Sequence, residues 1–60
     1  MLVNMRSLLT VDQVAKVLNV SNQTVRKLVR NGEIQAVKIG RTYRITEEAL
    51  NKFIIDKQGR

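Results

Sequence analysis

Two short amphipathic runs, separated by a turn of only three residues, constrain the fold of this chain more than any other feature. In the first run, apolar residues recur at i, i+3, i+4 and i+7, as on one face of an α-helix: Val11, Val14, Ala15 and Leu18. The second run has a similar apolar stripe, formed by Val25, Leu28 and Val29. Because so short a connection keeps the two helices in contact, the pattern predicts a helix-turn-helix.

Each predicted helix boundary coincides with a capping signal. A threonine followed three residues later by a glutamine forms a capping box, and a serine accepts a hydrogen bond from an N–H of the first turn. Asparagine and glycine end helices because they adopt the left-handed conformation readily. The expected boundaries are Thr10 with Gln13 and then Asn19 for the first helix, and Ser21 and then Asn31-Gly32 for the second.

A different periodicity follows the second helix. Two β-prone runs, Ala36–Ile39 and Thr42–Ile45, flank Gly40-Arg41 and predict a β-hairpin. Apolar residues alternate with basic ones along both runs, so we expect one apolar face and one basic face. The apolar face would carry Val37, Ile39, Tyr43 and Ile45, and the basic face Lys38 and Arg44.

A third helix closes the predicted fold. Thr46 is placed to cap it, and the acidic side chains of Glu47 and Glu48 suit the positive end of its dipole. Its core-facing stripe is Leu50, Phe53 and Ile54. Two helices, a hairpin and a closing helix predict an α+β, mostly α, winged helix-turn-helix. Residues 1–60 are expected to form one domain, with residues 1–8 as an N-terminal tail.

Size and composition favour a binding module over an enzyme. A chain of 60 residues buries only about 60% of its unfolded surface, so a cavity that encloses a small-molecule substrate is not expected. The chain has no Cys and no His, which excludes disulfides and zinc fingers and removes the commonest general base. We therefore expect no catalysis, no cofactor and no metal. Without a membrane span or a signal peptide, a cytoplasmic protein is expected.

The positive charge is concentrated in one segment. The chain carries a net charge of +6, and six basic residues with a single acid give residues 21–45 a charge of +5. Such a distribution is typical of proteins that bind a polyanion, and double-stranded DNA is the expected partner.

The second helix and the hairpin supply the candidate contacts. Side chains near the N-terminal half of a recognition helix reach base edges, which predicts major-groove contacts from Asn22, Gln23, Thr24 and Lys27. Phosphate contacts are predicted for Ser21, Arg26, Arg30, Lys38 and Arg44. The hairpin tip is predicted to enter the minor groove with Arg41 and Thr42. The competing interpretation is that these cations are only a solvated surface and that the tip is only a turn.

Three short motifs resemble the excisionase-type family of winged helix-turn-helix proteins, relatives of the MerR-like DNA-binding domain. They are the S-x-x-T-V that begins at Ser21, the G-E-I of residues 32–34 and the G-R-x-Y-R-I of residues 40–45. The resemblance covers residues 8 to about 55. It implies a recognition helix in the major groove, with base contacts from Gln23 and Lys27 and backbone contacts from Arg26 and Arg30. It also implies a wing in the minor groove, with contacts from Arg41.

The resemblance implies a role in phages, plasmids or conjugative elements, as an excision factor or as a transcriptional regulator. The preferred interpretation is an architectural factor that loads cooperatively on repeated sites and helps a recombinase or integrase assemble. A small repressor, activator or antitoxin with the same contacts is the alternative. A third interpretation, from another class, is a protein-interaction module whose basic face meets an acidic protein.

Overall fold

The computed structural model describes residues 8–58, and these form the predicted α+β winged helix-turn-helix. The elements follow in the order β1 (Leu8–Thr10), α1 (Val11–Leu18), α2 (Asn22–Arg30), β2 (Val37–Ile39), β3 (Thr42–Thr46) and α3 (Glu47–Gln58). The strands form one antiparallel sheet in the order β1-β3-β2. Helices α1 and α2 are the helix-turn-helix, and β2 with β3 form the wing.

The first two helices begin at the predicted caps. The Thr10 hydroxyl accepts from the backbone N–H of Gln13 at 3.0 Å, and the Gln13 side chain accepts from the N–H of Thr10 at 2.9 Å. This is the predicted capping box. Ser21 caps α2, where its hydroxyl accepts from the N–H of Thr24 at 3.1 Å.

Both helices also end where the sequence predicts. Asn19 has φ 60°, and the next residue, Val20, donates its N–H back to the carbonyl of Ala15 at 3.0 Å. After α2, Gly32 has φ 79° and Glu33 donates to the carbonyl of Leu28 at 2.9 Å. In both turns a backbone N–H donates to the carbonyl five residues earlier, across a residue in the left-handed conformation. This is the Schellman motif, which gives a hydrogen-bond partner to a carbonyl that the helix leaves free.

The core lies where both helices, the sheet and α3 meet. Val14, Val25 and Ile45 are fully buried, which confirms the apolar stripes predicted for α1 and α2. Ile34, 1% exposed, was not predicted as a core residue. It follows the turn that ends α2, so it anchors the segment between α2 and the wing. The buried apolar residues are Val11, Val14, Ala15, Val25, Ile34, Ile45 and Leu50.

The first strand was not predicted. Leu8 belongs to β1, so the expectation that residues 1–8 form a tail is wrong at that residue, and residues 1–7 lie outside the described range. In β1, Leu8 pairs with Thr46 and Leu9 with Ile45. Three residues are too few to show a period of two, and the partner strand lies far along the chain.

The predicted facing of the wing is wrong. Lys38 pairs with Tyr43 and Val37 pairs with Arg44. Directly opposed residues in an antiparallel sheet point to the same face. Lys38 therefore shares a face with Tyr43 and Ile45, whereas Arg44 shares the other with Val37 and Ile39. With a two-residue loop, each odd-numbered residue of one strand pairs with an even-numbered residue of the other. The predicted apolar residues of both strands are all odd-numbered, so those of β2 lie on the opposite face from those of β3. Neither face of the wing is therefore wholly apolar or wholly basic.

The third helix docks through fewer apolar residues than it contains. The hydroxyl of Thr46 accepts from the N–H of Ala49 at 3.0 Å and caps the helix as predicted. Leu50 is buried, and Phe53 and Ile54 pack half-buried against the core. The next residue, Ile55, is 63% exposed. Within residues 8–58, no helix combines the length and hydropathy needed to cross a lipid bilayer.

Candidate nucleic-acid interface

Helix α2 presents polar and cationic side chains opposite its buried face. Val25 is fully buried, while Gln23, Lys27 and Arg30 are exposed. These three lie at i, i+4 and i+7 and so follow one another along the outer face of the helix. The arrangement places one amide and two cations in a row, spaced by about one helical turn, on the part of α2 that faces solvent.

The N-terminus of α2 is held by side chains that were predicted to contact DNA. The hydroxyl of Ser21 is bonded both to the N–H of Thr24, at 3.1 Å, and to the hydroxyl of Thr24, at 3.0 Å. Both residues remain exposed. Their first role in the fold is therefore to fix the start of α2, which orients Gln23 between them.

The wing turns sharply at its tip. Gly40 has φ 61° and is the first of the two loop residues between β2 and β3. A type II′ hairpin turn requires glycine at this position. Arg41, the second loop residue, is exposed, as are Thr42 and Lys38. The tip therefore carries one arginine on a narrow two-stranded support.

Arg44 is tied to its own strand. Its Nη1 donates to the hydroxyl of Thr42 at 2.9 Å and to the carbonyl of Tyr43 at 3.2 Å. The hydroxyl of Thr42 donates in turn to the carbonyl of Ile39 across the wing at 3.4 Å. These bonds limit the rotamers of Arg44 and hold its guanidinium against β3, half-buried.

A cleft of about 200 Å³ lies between α2 and the wing. Asn22 and Arg26, one helical turn apart, line it from α2, and β3 extends past the end of β1 to form its opposite wall. The start of α1 closes the third side. The lining residues are Thr10, Val11, Asp12, Asn22, Arg26, Arg41, Thr42, Tyr43 and Arg44.

The cations of this interface have no acidic partners among the described residues. In that range, ion pairs join Asp12 to Lys16 at 3.6 Å and Glu33 to Lys57 at 3.3 Å. Glu33, the only acid in residues 21–45, is thus occupied by a lysine of α3. The positive charge on α2 and the wing is therefore not neutralised within residues 8–58.

The structure brings together only part of the predicted site. Arg26, Arg41, Thr42 and Arg44 line the same cleft, whereas Lys38 leaves the wing on a different face from Arg44. Thr10, Asp12 and Tyr43 also line the cleft, and the sequence pattern did not predict them there. Tyr43 packs partly against the core, as its alternation predicted, and also lines the cleft. The two-residue loop was the signal that could have placed it opposite Lys38.

The chain matches known proteins over most of its length. The family model described as "Helix-turn-helix domain" matches residues 8–57. A protein from Mycobacterium tuberculosis strain H37Rv, named "Putative DNA-binding protein", is 45% identical over 47 residues, 78% of this chain and 60% of the relative. Its counterpart in strain CDC 1551 gives the same figures. A protein named "Probable excisionase", from Saccharopolyspora erythraea, is 42% identical over 48 residues, 80% of this chain and 49% of the relative.

The chain thus spans about half to three fifths of the length of these relatives. No solved structure matches it significantly. The family match covers α1, α2, the wing and most of α3, and so includes the elements that form the interface described above. The chain belongs to the helix-turn-helix domain family.

Proposed function

We propose that this protein binds double-stranded DNA, with α2 in the major groove and the wing along the adjacent backbone and minor groove. The main support for this proposal is that α2 and the wing together present six cations that have no acidic partner within the described residues. Phosphates are the ligands that such a surface suits, and the exposed row of Gln23 and Lys27 supplies donors that can read base edges.

The site residues divide by the DNA element they are proposed to contact. Base edges in the major groove are assigned to Asn22, Gln23, Thr24 and Lys27. The tip residues Arg41 and Thr42 are assigned to the minor groove, where narrow A·T-rich stretches attract arginine. The backbone is assigned to Ser21, Arg26, Arg30, Lys38 and Arg44. Binding of this kind needs no catalytic group, cofactor or metal.

The biological role we propose is that of an excisionase-like architectural factor. A single module of this type buries about 600–1,000 Å² on DNA and reads only a few base pairs. Several copies on repeated sites, together with a recombinase or integrase, would supply the missing specificity. The relative named an excisionase supports this role over that of a repressor, activator or antitoxin using the same surface.

A salt titration tests the proposal. Fluorescence anisotropy with a labelled duplex gives the binding constant at a series of salt concentrations. The four cations assigned to the backbone, Arg26, Arg30, Lys38 and Arg44, should make log K fall with log salt with a slope of about −3 to −4, at 0.9 per phosphate contact. A flat response would refute DNA binding and favour a protein-interaction module that recognises an acidic partner.

A further inference from the structure

The cleft between α2 and the wing gathers more positive charge than the fold requires. Arg26, Arg41 and Arg44 all line it, against the single carboxylate of Asp12. That carboxylate already lies 3.6 Å from the ammonium group of Lys16. Like charges brought together in one cleft repel one another, so an anion that enters the cleft relieves a repulsion present in the free protein.

The two walls also differ in how firmly they hold their arginines. Arg44 is fixed by its bonds to Thr42 and Tyr43, both made by Nη1. An arginine has five N–H donors in a planar fork, so the Nε and Nη2 donors stay free of partners within residues 8–58. Arg26 lines the same cleft from α2, and it is exposed. The fixed arginine can therefore receive an anion that the exposed one then encloses.

From this geometry we infer that Arg26 and Arg44 grip one and the same phosphodiester of the DNA backbone. The phosphate occupies the cleft at the end of β1 and couples the recognition helix to the wing. Asn22, one turn before Arg26, lines the same cleft. This inference rests on the proposed function, and it goes further by making two backbone contacts into a single shared one.

A shared phosphate has a measurable consequence. Residues that contact the same group are coupled, whereas residues with separate partners act independently. We expect Arg26→Gln and Arg44→Gln each to weaken binding to a mixed-sequence duplex by about tenfold, as for one charge-assisted hydrogen bond. The double variant should also lose about tenfold, since either substitution alone already releases the phosphate. Independent contacts would instead give about a hundredfold loss.

A matched control uses an arginine outside the cleft. Arg30 lies on α2 and is not among the cleft residues, so we expect it to contact a different phosphate. Arg30→Gln combined with Arg44→Gln should therefore lose about a hundredfold, the product of the single losses. Thermal unfolding of every variant, followed by circular dichroism, ensures that affinities are measured on folded protein.

Arg44→Lys covers the case in which Arg44→Gln fails to fold. It keeps the charge but not the fork, so binding should still weaken if Arg44 shares a phosphate with Arg26. Multiplicative loss in the Arg26 and Arg44 pair, or full affinity in Arg44→Lys, would overturn the inference while leaving DNA binding intact. Absence of any salt-dependent binding by the parent protein would overturn both.

Discussion

Two valines in α1 allow the packing of the domain to be tested with a single chemical change. Val14 is fully buried, whereas Val17, one turn along the same helix, is 59% exposed. Replacing either with alanine removes two methyl-sized groups. At Val14 the lost transfer energy is about 1.6 kcal/mol, at ~0.8 per group, and the cavity raises the total to about 2–3 kcal/mol. A domain of this size is stable by only about 3–9 kcal/mol.

The expected result is a large difference between the two variants. Val14→Ala should lower the melting temperature by about 8–24 °C, since each kcal/mol corresponds to about 4–8 °C in a domain this small. Val17→Ala should change stability by less than about 0.5 kcal/mol, because alanine is the better helix former and no packing is lost. Far-UV circular dichroism during heating and urea titration measures both.

Binding to DNA provides the second measurement on the valine pair. Well below the unfolding transition, both variants should bind a duplex as tightly as the parent, because neither side chain belongs to the interface. Equal destabilisation by the two substitutions would refute the assigned core. A loss of affinity in folded Val17→Ala would show that the exposed side of α1 takes part in binding.

Two further predictions concern the proposed DNA contacts. Gln23→Ala should cost about 1–3 kcal/mol of binding free energy on the preferred site and relax sequence preference, whereas Arg30→Ala should weaken binding to all sequences alike. Selection of bound sequences from a random DNA pool compares the two variants. The reverse pattern would contradict the assignment. Arg41→Ala should leave stability within about 0.5 kcal/mol and lower affinity most on A·T-rich flanks. Equal binding of such flanks by mutant and parent would reduce the tip to a turn.

Local rules predicted the helices well. The caps of α1 and α2 depend on residues three positions apart, such as Thr10 with Gln13 and Ser21 with Thr24, and the structure has both. The Schellman turns at Asn19 and Gly32 likewise depend only on which residues adopt positive φ. Capping could be read from the sequence because the atoms involved are brought together by the helix itself, whatever the tertiary fold.

The predictions of the fold were wrong where residues that are distant in the sequence meet. Strand β1 exists because Leu9 packs on the core and pairs with Ile45, a contact that no short sequence window contains. The two faces of the wing, in contrast, could have been deduced from the sequence. Loop length fixes the register of a hairpin, and Gly40-Arg41 leaves Ile39 opposite Thr42. Alternation along each strand assigns the wrong faces when the register that joins the two strands is left out.

Several residues that line the cleft could be named from the sequence, but their arrangement could not. Charge and helical position selected Arg26, Arg41 and Arg44 separately. Their meeting in one cleft depends on where α2 lies relative to the wing and on the bonds of Arg44 to Thr42 and Tyr43. Side-chain rotamers and helix crossing are set by the packed core, so the sequence pattern carries no direct sign of them.

The connection between α2 and the wing bears on how the two reading elements act together. Ile34 is buried directly after the turn that ends α2, and Ile45 is buried in the central strand of the sheet. These two anchors fix the wing relative to α2 before any DNA is bound. A preorganised pair of elements loses little conformational entropy on binding. If the protein binds as proposed, we expect the duplex to adjust by bending or by narrowing its grooves, so that it meets both elements at once. That requirement links this rigid domain to the architectural role proposed for it.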